Sequence, residues 1–210
     1  MRTITRNLTP PSCLAVQPRG QDWSTFIGLP CHVELTSSLR IEQHYLCCYC
    51  ELELSDGECH VEHMEPRSIA PQRTYEYSNL AVSCNGGLVE HCGRFKDDRH
   101  YNPKYRYDAA LFSSPYQPAT APLFAYLQDG TVTAAPGQDK AKVTYMVGYL
   151  GLNCCRLKER RRSQACCLID MLGLVPDPTM VTWAKNYYLE PEQDGRLRQF
   201  PSLSKAILEP

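Results

Sequence analysis

The sequence predicts an α+β fold: a small zinc-stabilised β core, a helical C-terminal part and an extended N-terminal arm. Three observations predict it. A segment dense in cysteine and histidine runs from Cys47 to about His100 and opens on a C-x2-C pair, the spacing of a zinc knuckle. "LFAYLQDGTVTAA" carries two short β-rich runs joined around Asp129-Gly130, the pattern of a hairpin. Val143, Val147, Leu150, Cys154 and Leu157 then keep an apolar spacing that only a helix places on one face.

Taken in order, residues 1–32 are rich in Pro, Gly and Ser and read as the arm, able to wrap the domain or a partner. Residues 33–172 form the domain and 173–210 a tail. Within "VELTSSLRIEQHYL", residues 33–46, Leu35, Leu39 and Leu46 recur at near-helical spacing. "YNPKYRYDAALFSSPYQPATAP" is rich in turn residues and tyrosine and predicts an irregular connection. Asp139 can cap a helix ending at Gly151, where glycine tolerates a left-handed turn. Asn153 can cap a second helix that stops at Gly173. The tail, with Pro176, Pro178, Pro191 and Pro201, predicts a loose helix and loops.

Charge narrows the function classes. Twenty-two basic against 23 acidic residues give a net charge of −1, so any phosphate contact must be local or helped by a partner. The first twenty residues lack an apolar core of signal-peptide length, and no run approaches the ~20 apolar residues of a spanning helix. A cytoplasmic location without membrane attachment is expected. In such a reducing compartment, 12 cysteines predict metal ligands rather than a disulfide framework.

"LCCYCELELSDGECHVEHMEP" concentrates more metal-binding groups than one ion can use. Cys47 and Cys50 can reach one tetrahedral zinc from a tight turn, and Cys84 and Cys92 are the best second pair. Cys48, Cys59 and His91 are rivals for single positions. Closing the long loop between the pairs costs ~3 kcal/mol. Zinc binding supplies on the order of 10 kcal/mol, which outweighs it. The doublets Cys154-Cys155 and Cys166-Cys167 lie about three turns apart on the second helix, too far to share an ion, and read as core packing.

His60, Glu62 and His63 remain. On a strand, His60 and Glu62 face one way and His63 the other. For Glu62 and His63 to serve one site the strand must bend or end there, which Pro66 favours. A carboxylate beside a histidine suits metal-assisted phosphodiester hydrolysis: the acid holds a divalent cation and the imidazole takes a proton from water. Mg, Mn and Zn all suit such a pair.

Together "CCYCE", "HVEHMEPRS", "YSNLAVSCN" and "HCGRFKDD" resemble the HNH (ββα-metal) endonucleases, and more closely the PtuB-like nuclease subunits of Septu-type and retron-associated anti-phage systems. "FAYLQDGTV" and "YLGLNCCRLKERR" extend the resemblance over roughly residues 30–165. It implies His63 as general base, Glu62 as metal-binding acid, Asn79 as the asparagine that orients the base, and Cys47, Cys50, Cys84 and Cys92 as the zinc knuckle. Where this family commonly has His or Asn after the last cysteine, the chain has Gly93. Asp97, one helical turn on, is then the candidate second metal ligand, with His60, Asn85 and His91 in reserve. Lys96 and Arg67 are candidate nucleic-acid contacts, and "KERRR", Lys158 to Arg162, is either a phosphate-binding run or a solvated face. The resemblance also implies an ATPase partner subunit of the PtuA-like, SMC-like or ABC-like class, within a retron complex for the retron-associated members. The chain itself has no G-x-x-x-x-G-K-[ST] phosphate loop. A zinc-stabilised binding module without catalysis is the competing reading, kept alive by Gly93. A redox protein built on the C-x2-C pair is the third.

Overall fold

The computed structural model describes residues 1–6, 9–16, 22–173 and 177–209. The tail proline Pro176 lies outside them. The order is helix α1 (Trp23–Phe26), α2 (Pro30–Glu42), strands β1 (Cys59–His63) and β2 (Leu80–Cys84), α3 (Cys92–Asp97), strands β3 (Phe124–Tyr126) and β4 (Val132–Ala134), then α4 (Lys140–Tyr149), α5 (Cys155–Leu172), α6 (Pro178–Leu189) and α7 (Pro201–Leu208). The described residues form two small antiparallel sheets and many helices, an α+β arrangement. No helix among the described residues is long and apolar enough to cross a membrane.

The first segment is not simply extended. Short helical turns form at Ser12–Val16 and Trp23–Phe26, and Met1, Ile4, Trp23 and Phe26 are buried in the core. Asp22 starts α1 by accepting from Ser24 N at 3.1 Å. Cys13 and Cys31 meet across this turn and form a disulfide, a single bridge beside ten free cysteines and not a framework. The chain reversal brings their Cα atoms to 5.7 Å, within bridging range.

Helix α2 begins three residues before the expected segment, because Pro30 fits its first turn. It buries Leu35 and Leu39 and stops at Glu42, so Leu46 is buried outside the helix, in an isolated bridge with Glu53. Gln43, next after the helix, uses its amide as a strand would. Its Oε1 accepts from Val82 N at 2.6 Å and its Nε2 donates to Val82 O at 2.7 Å, covering the free edge of β2. Strands β1 and β2 pair with Cys59 opposite Cys84 and His63 opposite Leu80.

The hairpin forms where the sequence places it, with Asp129-Gly130 in its turn. Asp139 caps α4 by accepting from Lys142 N at 3.0 Å. At its end, Leu152 N reaches Val147 O at 2.9 Å and Gly151 N reaches Gly148 O at 3.3 Å, with Gly151 at φ +62°. That pairing closes the helix on a left-handed glycine, as expected. Asn153 does not cap α5. Its Oδ1 accepts from Val132 N at 2.8 Å and its Nδ2 donates to Val132 O at 2.9 Å, clamping β4 to the start of α5.

The core face of α5 carries Leu157, Arg161, Ala165 and Leu168. Cys155, Cys166 and Cys167 are exposed, which corrects their reading as core packing. At about 100° per residue, positions 166 and 167 fall off the face that 165 and 168 define. Within "KERRR", Arg161 is buried, donating through Nε to Gly130 O at 2.8 Å and also to Leu152 O. The tail holds two helices instead of one loose one, because Pro178 and Pro201 each start a helix. Phe200 N and Ser202 N both bond Glu51, next to Cys50, and tie the tail to the cysteine segment.

Candidate active site

The cysteine pairs converge. Cys47 and Cys50 lie in the turn before β1, Cys84 ends β2 and Cys92 starts α3. Their four ligand atoms lie within 4.8 Å of one another, and all four residues are buried. Cys47–Cys92 and Cys50–Cys84 sulfurs are each 3.7 Å apart. A tetrahedral zinc with Zn–S bonds of ~2.3 Å has sulfur–sulfur edges of about 3.8 Å, so the donor set fits that ion. Cys84 N donates to the Cys47 sulfur at 3.3 Å. Burial pushes the Cys47 thiol up, but hydrogen bonds from Cys48, Cys50, Cys84 and Cys92 outweigh it and favour the thiolate. Cys92 accepts a left-handed backbone, φ +65°, to point inward. His91, a rival ligand by sequence, lies outside the four but touches the cluster, with Nδ1 3.1 Å from the Cys92 sulfur. Cys48 and Cys59 are not among the four either.

Strand β1 ends at His63, so Glu62 and His63 both line one cleft of about 650 Å³ despite their alternation. His63 is buried against Trp23, ring centroids 4.4 Å apart, and its Nε2 lies 3.0 Å from Thr74 O. A carbonyl oxygen can only accept, so Nε2 carries the hydrogen and Nδ1 the lone pair. Burial pulls the His63 imidazole down to about 4, against the Thr74 carbonyl that favours the charged form. The ring is neutral at pH 7.

Among the described residues no hydrogen bond joins the Asn79 side chain to His63. Asn79 Oδ1 accepts from Glu65 N at 2.8 Å, and its Nδ2 donates to Glu65 O at 3.1 Å and Arg73 O at 3.3 Å. It thereby closes the segment whose next residue, Thr74, holds the imidazole.

Glu62 is buried, and its two oxygens have separate neighbours. Oε1 accepts from Tyr49 OH at 3.1 Å and pairs with Lys96 Nζ at 2.9 Å. Oε2 lies 3.3 Å from His60 Nε2. Burial alone would raise this carboxyl, but Lys96 and His60 outweigh it and hold it at about 2. Lys96, read as a phosphate contact, has a fully buried side chain bridging Glu62 and Asp97. Asp97, read as a metal ligand, spends both carboxylate oxygens on that ammonium at 2.8 Å and is half exposed. His60 Nδ1 lies 3.0 Å from Asn85 Oδ1. The structure thus brings His60, Glu62 and His63 together, with Lys96 between Glu62 and Asp97.

Arg67 stands exposed at the cleft, 6.0 Å from the Trp23 ring. Arg94, Arg99 and Arg106 join it as exposed lining residues, which spacing alone did not single out. Counting the lining side chains, cations outnumber carboxylates five to three. Trp23 was also missed; its one local signal is an aromatic pair, Trp23 and Phe26, inside an otherwise polar segment.

No family model matches the chain. Over 138 residues the chain is 31% identical to a Vibrio cholerae serotype O1 biovar El Tor protein named "Retron Vc95 putative HNH endonuclease". The match covers 62% of this chain and 62% of that protein, less than two thirds of either.

Proposed function

We propose that this chain is a metal-dependent HNH endonuclease that hydrolyses phosphodiester bonds of nucleic acid, as the cutting subunit of an anti-phage assembly. The observation that carries the chemistry is His63: a buried, neutral imidazole fixed by a backbone carbonyl beside an ionised buried carboxylate, in a cleft rimmed by arginines. Nδ1 of His63 takes a proton from the attacking water. Thr74 and Trp23 hold the ring, and Asn79 holds the segment that carries Thr74. Glu62, with a neighbouring donor, would hold a divalent cation, Mg, Mn or Zn, which stabilises negative charge on the leaving oxygen. The four cysteines would hold a structural zinc.

The exposed arginines would bind the phosphates. Replacing Arg67 and Arg94 with alanine is expected to weaken nucleic-acid binding severalfold across sequences and to flatten its salt dependence. Binding by fluorescence anisotropy at three salt concentrations checks this, and an unchanged salt slope would place the substrate elsewhere.

An ATPase partner of the PtuA-like class would deliver substrate and control cutting, since the overall charge of −1 gives little long-range pull on nucleic acid. The relative's name associates that protein with a retron, and on the same reading this chain would work inside a retron complex. The decisive experiment incubates the chain with DNA and RNA pools under Mg, Mn and Zn, alone and co-expressed with such an ATPase, with and without ATP. Cation-dependent cleavage that EDTA abolishes is expected. No cleavage under any condition leaves the reading of a zinc-stabilised binding module, and equal, ATP-independent cutting by the chain alone removes the regulatory partner.

A further inference from the structure

Gly93 opens α3 directly against the polar side chains of β1. A Cβ at this position would lie 2.2 Å from Glu62 Oε2 and 2.7 Å from His60 Nε2. Both side-chain ends therefore occupy the space that a residue at 93 would need for its own side chain. Each is anchored by other partners, so moving it breaks those contacts. Glu62 is held through Oε1 by Tyr49 and Lys96, and His60 is held through Nδ1 by Asn85.

The Asn85 contact also sets the imidazole's protonation pattern. Asn85 Nδ2 donates to Gly57 O at 3.3 Å, which turns its Oδ1, an acceptor, toward the ring. His60 Nδ1 then carries a hydrogen, which leaves Nε2, on the Glu62 side, as the nitrogen that would ligate a cation. A ligating histidine commonly has its second nitrogen engaged in this way. Nε2 and Glu62 Oε2 stand 3.3 Å apart. Two donors about 2.1 Å from one cation are separated by about 3.0 Å at adjacent octahedral positions and about 3.4 Å at tetrahedral ones. Glu62 Oε1 is already engaged, so Oε2 is the oxygen it offers.

We propose that His60 is the second protein ligand of the cation held by Glu62, and that glycine stands at position 93 because the His60 imidazole fills the place of a side chain there. The ligand comes from the strand and not from α3, and Asp97 serves Lys96 instead of the cation. The assignment rests on the nuclease reading for the cation's role but not for its position.

Mn2+ titrated calorimetrically into the zinc-loaded full chain tests it apart from cleavage. His60→Ala is expected to weaken Mn2+ binding at least tenfold. Gly93→Ala should do the same by displacing both donors, and the double variant should be no weaker than the worse single one, because both act on one ligand pair. Asp97→Asn should stay within threefold of the unsubstituted chain. Zinc content and unfolding temperature are measured for each variant, and His60→Gln replaces any His60→Ala protein that loses zinc. Unchanged Mn2+ affinity at His60 with zinc retained would overturn the assignment, as would loss of binding in Asp97→Asn alone. A chain that binds Mn2+ through His60 yet cuts neither DNA nor RNA loses the nuclease reading and keeps the ligand. Cleavage that persists while His60→Ala binds Mn2+ normally does the reverse.

Discussion

His63→Ala is expected to lower cleavage by at least ~100-fold while leaving nucleic-acid affinity and zinc content unchanged. General-base catalysis contributes ~10²–10⁴ in rate, and His60, the other β1 imidazole lining the cleft, is engaged by Asn85 and Glu62. Trp23 and Thr74 lose a partner, whereas among the described residues no arginine of the rim and no cysteine of the cluster forms a hydrogen bond or ion pair with His63. The pH profile gives a second readout. Burial depresses the His63 pKa to about 4, so the base stays unprotonated through neutral pH and is lost only as pH falls toward that value. The acid limb of the cleavage profile should therefore lie well below 6.5, the midpoint of an unperturbed histidine. Cleavage by His63→Ala at the rate of the unsubstituted chain would remove His63 from the chemistry, and an acid limb at 6.5 would deny the buried environment.

Cys84→Ser is expected to release the zinc and with it the cooperative fold of the core. The metal supplies on the order of 10 kcal/mol to a site of this kind, comparable with the whole net stability of a domain. Here the four sulfurs join the turn before β1, the end of β2 and the start of α3, so their loss separates the elements that carry Glu62, His63 and Gly93. Elemental analysis should find about one zinc per unsubstituted chain, surviving mild chelation, and almost none in the variant. Calorimetric unfolding should show the variant's transition broadened or absent. A zinc-free chain with an unchanged transition would show that packing alone holds the cluster together.

The legible features are those whose signal and structure lie within a few residues. Asp139 caps α4 because a short acceptor before a helix reaches its third amide whatever the surroundings. Gly151 and Gly173 end helices at left-handed backbone that other residues adopt at a cost. The C-x2-C turn pairs its sulfurs locally, and its rivals Cys48 and Cys59 drop out only when β2 and α3 arrive with Cys84 and Cys92. The same polar chemistry becomes ambiguous when a distant strand competes for it. Asn153 had the right residue type for a cap, but Val132 offers both a donor and an acceptor, and two hydrogen bonds to a strand replace one to a helix end.

The sequence by itself determined the α+β class, the cysteine knuckle, the adjacency of Glu62 and His63, and the hairpin and helix ends that follow. Each of these depends on the reach of one side chain or the handedness of one turn. The tertiary structure decided that Lys96 is buried between two carboxylates, that Asp97 answers it, that Trp23 walls the base and that four arginines share one rim. It also decided that Cys13 meets Cys31, and that Gly93 faces His60. All of these depend on which faces meet across long stretches of chain, and local spacing carries no record of that meeting.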